Sequence, residues 1–162
     1  SDKNMSMMFN LGAGGGAIIL KANYGKNQLL ESHIMSDGSM ARDAGVEIGG
    51  TENPINKVNL DSAYKSLKLM NPEHMKNRLG EVSMKNWMHC INKAFRKSNV
   101  KVEELDYLAV LHFKHSMHLH MLELLGLNEE QTIYLSDYGH IGQVDQILSI
   151  HLALENGKKK EG

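Results

Sequence analysis

From Asn71 onward the chain alternates between helical and strand-like spacing of its apolar residues, and that alternation restricts it to layered α/β folds. Asn71-Pro72-Glu73 supplies a capping residue, a proline suited to a first helical position and an acid in the first turn, so a helix is expected to follow. Within it Met84, Trp87, Met88, Ile91, Ala94 and Phe95 recur at helical spacing and predict an apolar stripe. LDYLAVLH then reads as a mostly buried strand. FKHSMHLHMLELLG reads as a helix with Phe113, Met117, Met121 and Leu124 on one face and Gly126 as its stop. QTIYLSD alternates into another strand, and after a turn from Asp137 to Gly142 a last helix is expected, with Val144, Ile147, Leu148, His151 and Leu154 on one side before the GKKKEG tail.

Upstream, FNLGAGGGAIILKA joins clustered glycines to the apolar run Ala17 to Leu20, the pattern of a buried strand next to a close backbone approach. It lacks a following helix and the G-x-G-x-x-G spacing, so phosphate binding is not indicated. LLESHIMSDG predicts a second strand ended by Asp37-Gly38. Residues 38–58 carry Gly45, Gly49, Gly50 and Pro54 and are read as a long loop. The succession of strands and helices favours right-handed crossovers, parallel pairing and functional loops at strand ends.

Size and charge narrow the function. A length of 162 residues suits one domain, and a net charge of −1 removes the electrostatic basis for a nucleic-acid or anionic-membrane binder. No apolar run reaches the roughly 18 residues of a membrane span, and no signal peptide is read at the start, so a cytoplasmic location is expected. Cys90 is the only cysteine, which excludes an internal disulfide. Its setting in WMHCINKAF is a helix interior, unlike the cationic or helix-start environments that activate thiolates. Eleven methionines are read as core filler.

Nine histidines are more informative, because four fall between His112 and His120. Two strand-end loops carry them: Leu111 to His115, and Tyr138-Gly139-His140-Ile141-Gly142. A histidine just after a buried strand, facing another on a glycine-flanked turn, can donate N–H groups to a developing oxyanion or move a proton near neutral pH. A metal reading competes at His112, His115 and His118, yet no Asp or Cys completes a ligand set, so none is assigned. His118, His120 and His151 are read as solvated helix-face residues.

These segments together resemble the C-terminal half of a β-ketoacyl-acyl carrier protein synthase III, in the thiolase superfamily. FNLGAGGGAIIL resembles that family's FGDGAGAxVL strand, with Leu11 where aspartate is usual. SDGSMARDAGVEIGG resembles its following loop. VSMKNWMHCINKAFRKSNVKVEELDYLAVLH resembles the long helix, connection and strand that end in its catalytic histidine, and NEEQTIYLSDYGHIGQVDQILSIHLALENGKKKEG resembles the part that normally contains YGNTSAAS.

The resemblance implies a thiolase-like layered αβα half over residues 1–162, with a mixed or mostly parallel sheet flanked by helices. It also implies an upstream half bearing the nucleophilic cysteine and a final glycine-rich hairpin, both outside this chain. In the family that cysteine takes an acyl group from a thioester, and histidine and asparagine assist decarboxylative condensation with a malonyl thioester. His112 then fills the histidine position, with His115 as the alternative because the QAN that follows the histidine in the family's PHQAN is not kept. His140 stands at the asparagine position. No cofactor or metal is implied; coenzyme A or acyl carrier protein thioesters would be substrates, the N-terminal half a partner, and the complete enzyme a homodimer. The fragment alone is expected to be inactive. The departures at Leu11, His140 and QAN leave a second reading, a non-catalytic thiolase-like scaffold that binds an acyl carrier or a partner subunit.

Overall fold

The computed structural model describes residues 9–158. They divide into two compact units: residues 35–86 with Phe9 and Asn10, and residues 11–34 with 87–158.

In the first unit, Asp37 opens a 3-10 turn at Gly38–Met40 by accepting the Ser39 N–H at 3.0 Å. The expected loop at 38–58 contains strand β1 (Ala44–Val46), which pairs antiparallel with β2 (Leu67–Leu69), Gly45 lying opposite Lys68. The short helix α1 (Leu60–Ala63) lies between them in sequence. Among the described residues of this unit the buried ones are Asp43, Ser66 and Ser83, so hydrogen bonds take the place of an apolar core there. The Asp43 carboxylate meets His74 Nδ1 at 2.7 Å, its carbonyl accepts the Met70 and Asn71 N–H groups, and Ser66 Oγ donates to the Ile48 carbonyl.

Helix α2 (Pro72–Ser98) begins where Asn71-Pro72-Glu73 places it. It ends at Asn99, whose φ of 54° is left-handed, with the Val100 N–H donating to the Phe95 carbonyl. The six stripe residues are all half-buried.

The second unit holds α3 (His115–Leu125) and α4 (Val144–Glu155). Helix α3 stops at Gly126, as expected. Its buried face is His118, Met121, Leu122 and Leu125, rotated from the expected one, and Leu124 stays 47% exposed. The rotation follows from His118, which packs inward. On α4 the buried positions are Asp145, Ser149 and Ala153, while Val144, Ile147, Leu148 and His151 line a concavity shared with Ala13, Gly14 and Gly15. Tyr107, Met121, Leu122, Leu125, Leu135 and Ala153 form the apolar core, and the Tyr107 hydroxyl donates to the Ser149 carbonyl at 3.1 Å.

The architecture mixes helix and strand, and the described residues hold one two-stranded antiparallel sheet in place of the extended parallel sheet expected from the sequence. Parallel pairing is present as two single bridges, Leu108 with Thr132 and Leu11 with His140. LDYLAVLH and QTIYLSD therefore lie side by side in the expected direction, fixed by the Leu108 N–H on the Gln131 carbonyl at 2.8 Å, without becoming ladders. The expected strands at 17–20 and 30–36 are not strands: Ile18, Ile19, Leu20, Leu30 and Ile34 are between 57% and 94% exposed. A strand exists only through a neighbour that takes its N–H and C=O groups along its length and covers its apolar face. Among the described residues neither segment has a pairing strand, although the Ser32 carbonyl accepts from Lys97 Nζ at 2.8 Å.

Clustered glycines serve the close approach read from the sequence, and what approaches them is the 138–147 segment. The Gly12 N–H donates to the His140 carbonyl at 2.9 Å, and a Cβ on Gly12 would lie 2.1 Å from the Tyr138 carbonyl oxygen. A Cβ on Gly16 would lie 3.1 Å from Ile147 Cγ2. Backbone cannot yield as a flexible side chain does, so Gly12→Ala is expected to shift the 138–142 turn and cost about 1–3 kcal/mol. Chemical unfolding of the variant checks this, and an unchanged midpoint would contradict the packing.

Candidate active site

Two backbone N–H groups and one imidazole converge on one carboxylate. Asp145, in the first turn of α4, has no solvent exposure. Its Oδ1 accepts the Ile141 N–H at 2.8 Å, and its Oδ2 accepts the His112 backbone N–H at 2.8 Å. The same Oδ2 lies 2.8 Å from His140 Nδ1. Gly139 and Gly142 carry φ values of 69° and 76°, a left-handed conformation that residues with a Cβ adopt at a cost, and they bend the turn so that Ile141 and His140 both face Asp145. His112 and His140, read separately from two loops, are thus tied to one group.

His112 is 8% exposed, and its Nδ1 is buried without a hydrogen-bond partner among the described residues. Its ring lies 4.9 Å from that of Tyr134, centroid to centroid. Burial pushes its pKa below the usual histidine value, opposed by nearby Asp145 and reinforced by His140. Neutral His112 therefore has to choose a tautomer. A buried N–H without an acceptor is rarer and less tolerable than an unused lone pair, so the proton belongs on Nε2.

His140 keeps a third of its side chain exposed. Because Asp145 already receives two backbone N–H groups, it acts as an acceptor on both oxygens, and the contact with His140 is satisfied when Nδ1 carries the proton. In the neutral ring Nε2 of His140 is then left with a lone pair.

His115, the alternative to His112, is exposed at the start of α3 and stacks 4.5 Å from the Tyr134 ring without contacting Asp145. Tyr134 is the hub of this side of the site: its ring also lies 5.3 Å from His118, edge to face, and its hydroxyl donates to the Phe113 carbonyl at 3.0 Å. His118 departs from the sequence reading. It is 3% exposed rather than solvated, with Nε2 3.3 Å from the Thr132 hydroxyl, which itself donates to the Leu108 carbonyl. His120 and His151 are on the surface as expected, near Glu123 and Glu155. Among the described residues no group of three or more His, Cys, Asp or Glu side chains is arranged to hold a metal ion. No described helix is long and apolar enough to cross a membrane.

Burial lowers the pKa of His118 as well as that of His112, so both bind protons more weakly folded than unfolded. The sign follows directly: their contribution is intact well above the unfolded value near 6.5 and declines as pH falls through it toward the depressed folded values. Melting temperature is expected to drop on acidification below about pH 6.5, and His118→Asn should flatten that drop. An identical pH profile in wild type and variant would contradict the assignment.

Sequence reasoning missed Asp145 and Tyr134. An acid in a first helical turn reads as ordinary favourable charge at a helix start, and nothing local marks the two partners it takes from the 112 and 140 loops.

The segment that carries both histidines and Asp145 lies within the residues matched by a family model. Residues 95–162 match the 3-oxoacyl-[acyl-carrier-protein (ACP)] synthase III C-terminal family. The chain as a whole is similar to the β-ketoacyl-[acyl-carrier-protein] synthase III of Microcystis aeruginosa (strain NIES-843 / IAM M-2473), 26% identical over 165 residues. It is 24% identical over 163 residues to the enzyme of the same name from Aliarcobacter butzleri (strain RM4018). Each comparison takes in 100% of this chain and 47% of the relative, so the chain spans about half the length of the curated relatives it matches. No solved structure matches the chain significantly. The resemblance read from the sequence is borne out by these relatives. Against the motif YGNTSAAS, residues 138–145 keep the tyrosine and the glycine and depart at the other six positions; His140 stands opposite asparagine and Asp145 opposite the last serine, and these two are the partners of one 2.8 Å contact.

Proposed function

We propose that this chain is the histidine-bearing, thiolase-like half of a β-ketoacyl-acyl carrier protein synthase III-like enzyme. A cysteine in the remaining half takes an acyl group from a coenzyme A or acyl carrier protein thioester, and the acyl group then passes to a malonyl thioester by decarboxylative Claisen condensation. The observation that carries the reading is the convergence of His112 and His140 on Asp145.

In this reading His112 is the catalytic histidine. Its Nε2–H donates to the thioester oxygen that becomes the enolate oxygen when carbon dioxide leaves, and its burial keeps it neutral and in place. His140 lies beside it as the second polar group, and His115 is a neighbour of Tyr134 rather than a reacting group. Neither histidine acts as a nucleophile, so the chain by itself is inactive. The apolar residues between Ile18 and Ile34 suit a face covered by the other half, in a complete enzyme that is a cytoplasmic homodimer.

Intact-protein mass spectrometry of the complete gene product, incubated with a panel of acyl-coenzyme A thioesters, tests the reading. A single acyl adduct on one cysteine outside residues 1–162 is expected. Absence of an adduct with every thioester would refute the enzyme and favour a thiolase-like scaffold that binds an acyl carrier or partner subunit.

A further inference from the structure

The two histidines present opposite polarities to the same site. His112 is arranged to donate from Nε2, because its Nδ1 is buried and unpartnered. His140 is arranged to accept at Nε2, because its Nδ1 is committed to a fully buried carboxylate that also accepts the Ile141 and His112 N–H groups. An asparagine amide at position 140 could offer an N–H but could never take up a proton. With Asp145 behind it, an imidazole can, and the carboxylate balances the imidazolium that results.

We propose that His140 and Asp145 form a general-base pair that lets the acylated enzyme pass its acyl group to a hydroxyl-bearing acceptor, an activity that rests on the condensing-enzyme reading and adds to it. The acceptor oxygen attacks the thioester carbonyl carbon of the acyl-cysteine while His140 Nε2 takes the hydroxyl proton. His112 Nε2–H donates to the tetrahedral oxyanion. The C–S bond then breaks, the ester leaves, and His140 returns the proton to the departing thiolate. No oxidant, metal or further reactant is needed.

A hydroxyl acceptor is favoured over proton abstraction from carbon. Taking a proton from the α-carbon of an unactivated thioester asks far more of an imidazole than taking a hydroxyl proton while its oxygen attacks. A malonyl thioester brings no proton to remove, since carbon dioxide leaves in its place, so a base at position 140 has no task in that reaction. The partial exposure of His140 leaves room for the acceptor. Asp145 itself touches no substrate and is a positioning residue.

The test uses the complete gene product, first loaded with an acyl group from an acyl-coenzyme A and then offered malonyl-coenzyme A and a series of primary alcohols in parallel. Ester formation by the wild type is expected. In His140→Asn the ratio of ester formation to condensation should fall at least a hundredfold. In Asp145→Asn the pH profile of ester formation should move, which a merely structural role would not require. Nitrogen NMR of the labelled histidines gives a readout apart from activity: His140 is expected as the Nδ1–H tautomer in the wild type and not in Asp145→Asn. An adduct consumed by water or malonyl-coenzyme A but never by an alcohol, an unchanged ratio in His140→Asn, or a proton on Nε2 of neutral His140 overturns this inference and leaves the condensing reading standing. Absence of any acyl adduct overturns both.

Discussion

Replacing Asp145 with alanine is expected to lower stability by about 3–5 kcal/mol, because it orphans two buried backbone N–H groups and the ring of His140 at once. Each unsatisfied donor costs about 1–3 kcal/mol, and the carboxylate has no solvent contact through which water could readily replace it. For a domain of this size the corresponding drop in melting temperature is about 10 °C. Asp145→Asn should cost less, since one carbonyl oxygen remains to accept while its amide N–H₂ opposes a backbone donor. Urea unfolding of the three proteins checks the order wild type, Asn, Ala. A loss below about 1 kcal/mol for Asp145→Ala would mean that the carboxylate does not hold the 112 and 140 loops together.

The importance of Asp145 also explains how much of this molecule could be read in advance. Helices were legible because their signals are local: Asn71-Pro72 begins α2, Gly126 ends α3, and Val144, Ile147 and Leu148 repeat within two turns of α4. Strands were not, because a strand is a relation between segments. Ala17 to Leu20 and Leu30 to Ser36 have strand-like composition but no pairing strand among the described residues, so their apolar side chains remain exposed. LDYLAVLH and QTIYLSD gained one parallel bridge and no more.

The candidate site divides in the same way. His112 and His140 stood out by residue type and by their place at strand-end loops. Asp145 did not, since its function depends on a partner 33 positions away. His118 misled because spacing on α3 gives a periodicity without saying which side faces the core, and a single bond to the Thr132 hydroxyl makes its burial tolerable. Gly12 was recognisable as a close approach, but the identity of what approaches it, the Tyr138 carbonyl, follows only from the fold.

His112→Ala carries the largest expected effect on chemistry. Its side chain supplies the donor assigned to the developing oxyanion, and removing one such donor lowers a rate by about 10²–10³-fold. In the proposed function, loading of the cysteine is a separate step that uses groups outside this chain, so the two steps should respond differently. His115→Ala, which removes a ring stacked on Tyr134 at the surface, should change consumption of the adduct far less than His112→Ala does.

The most direct test is therefore to preload the complete gene product with an acyl group, add malonyl-coenzyme A, and follow the acyl-protein mass with time in wild type and His112→Ala. The account predicts that both proteins load, and that the variant holds its acyl group at least a hundred times longer. Equal decay of the acyl-protein in the two would show that His112 is not the group that drives the second step.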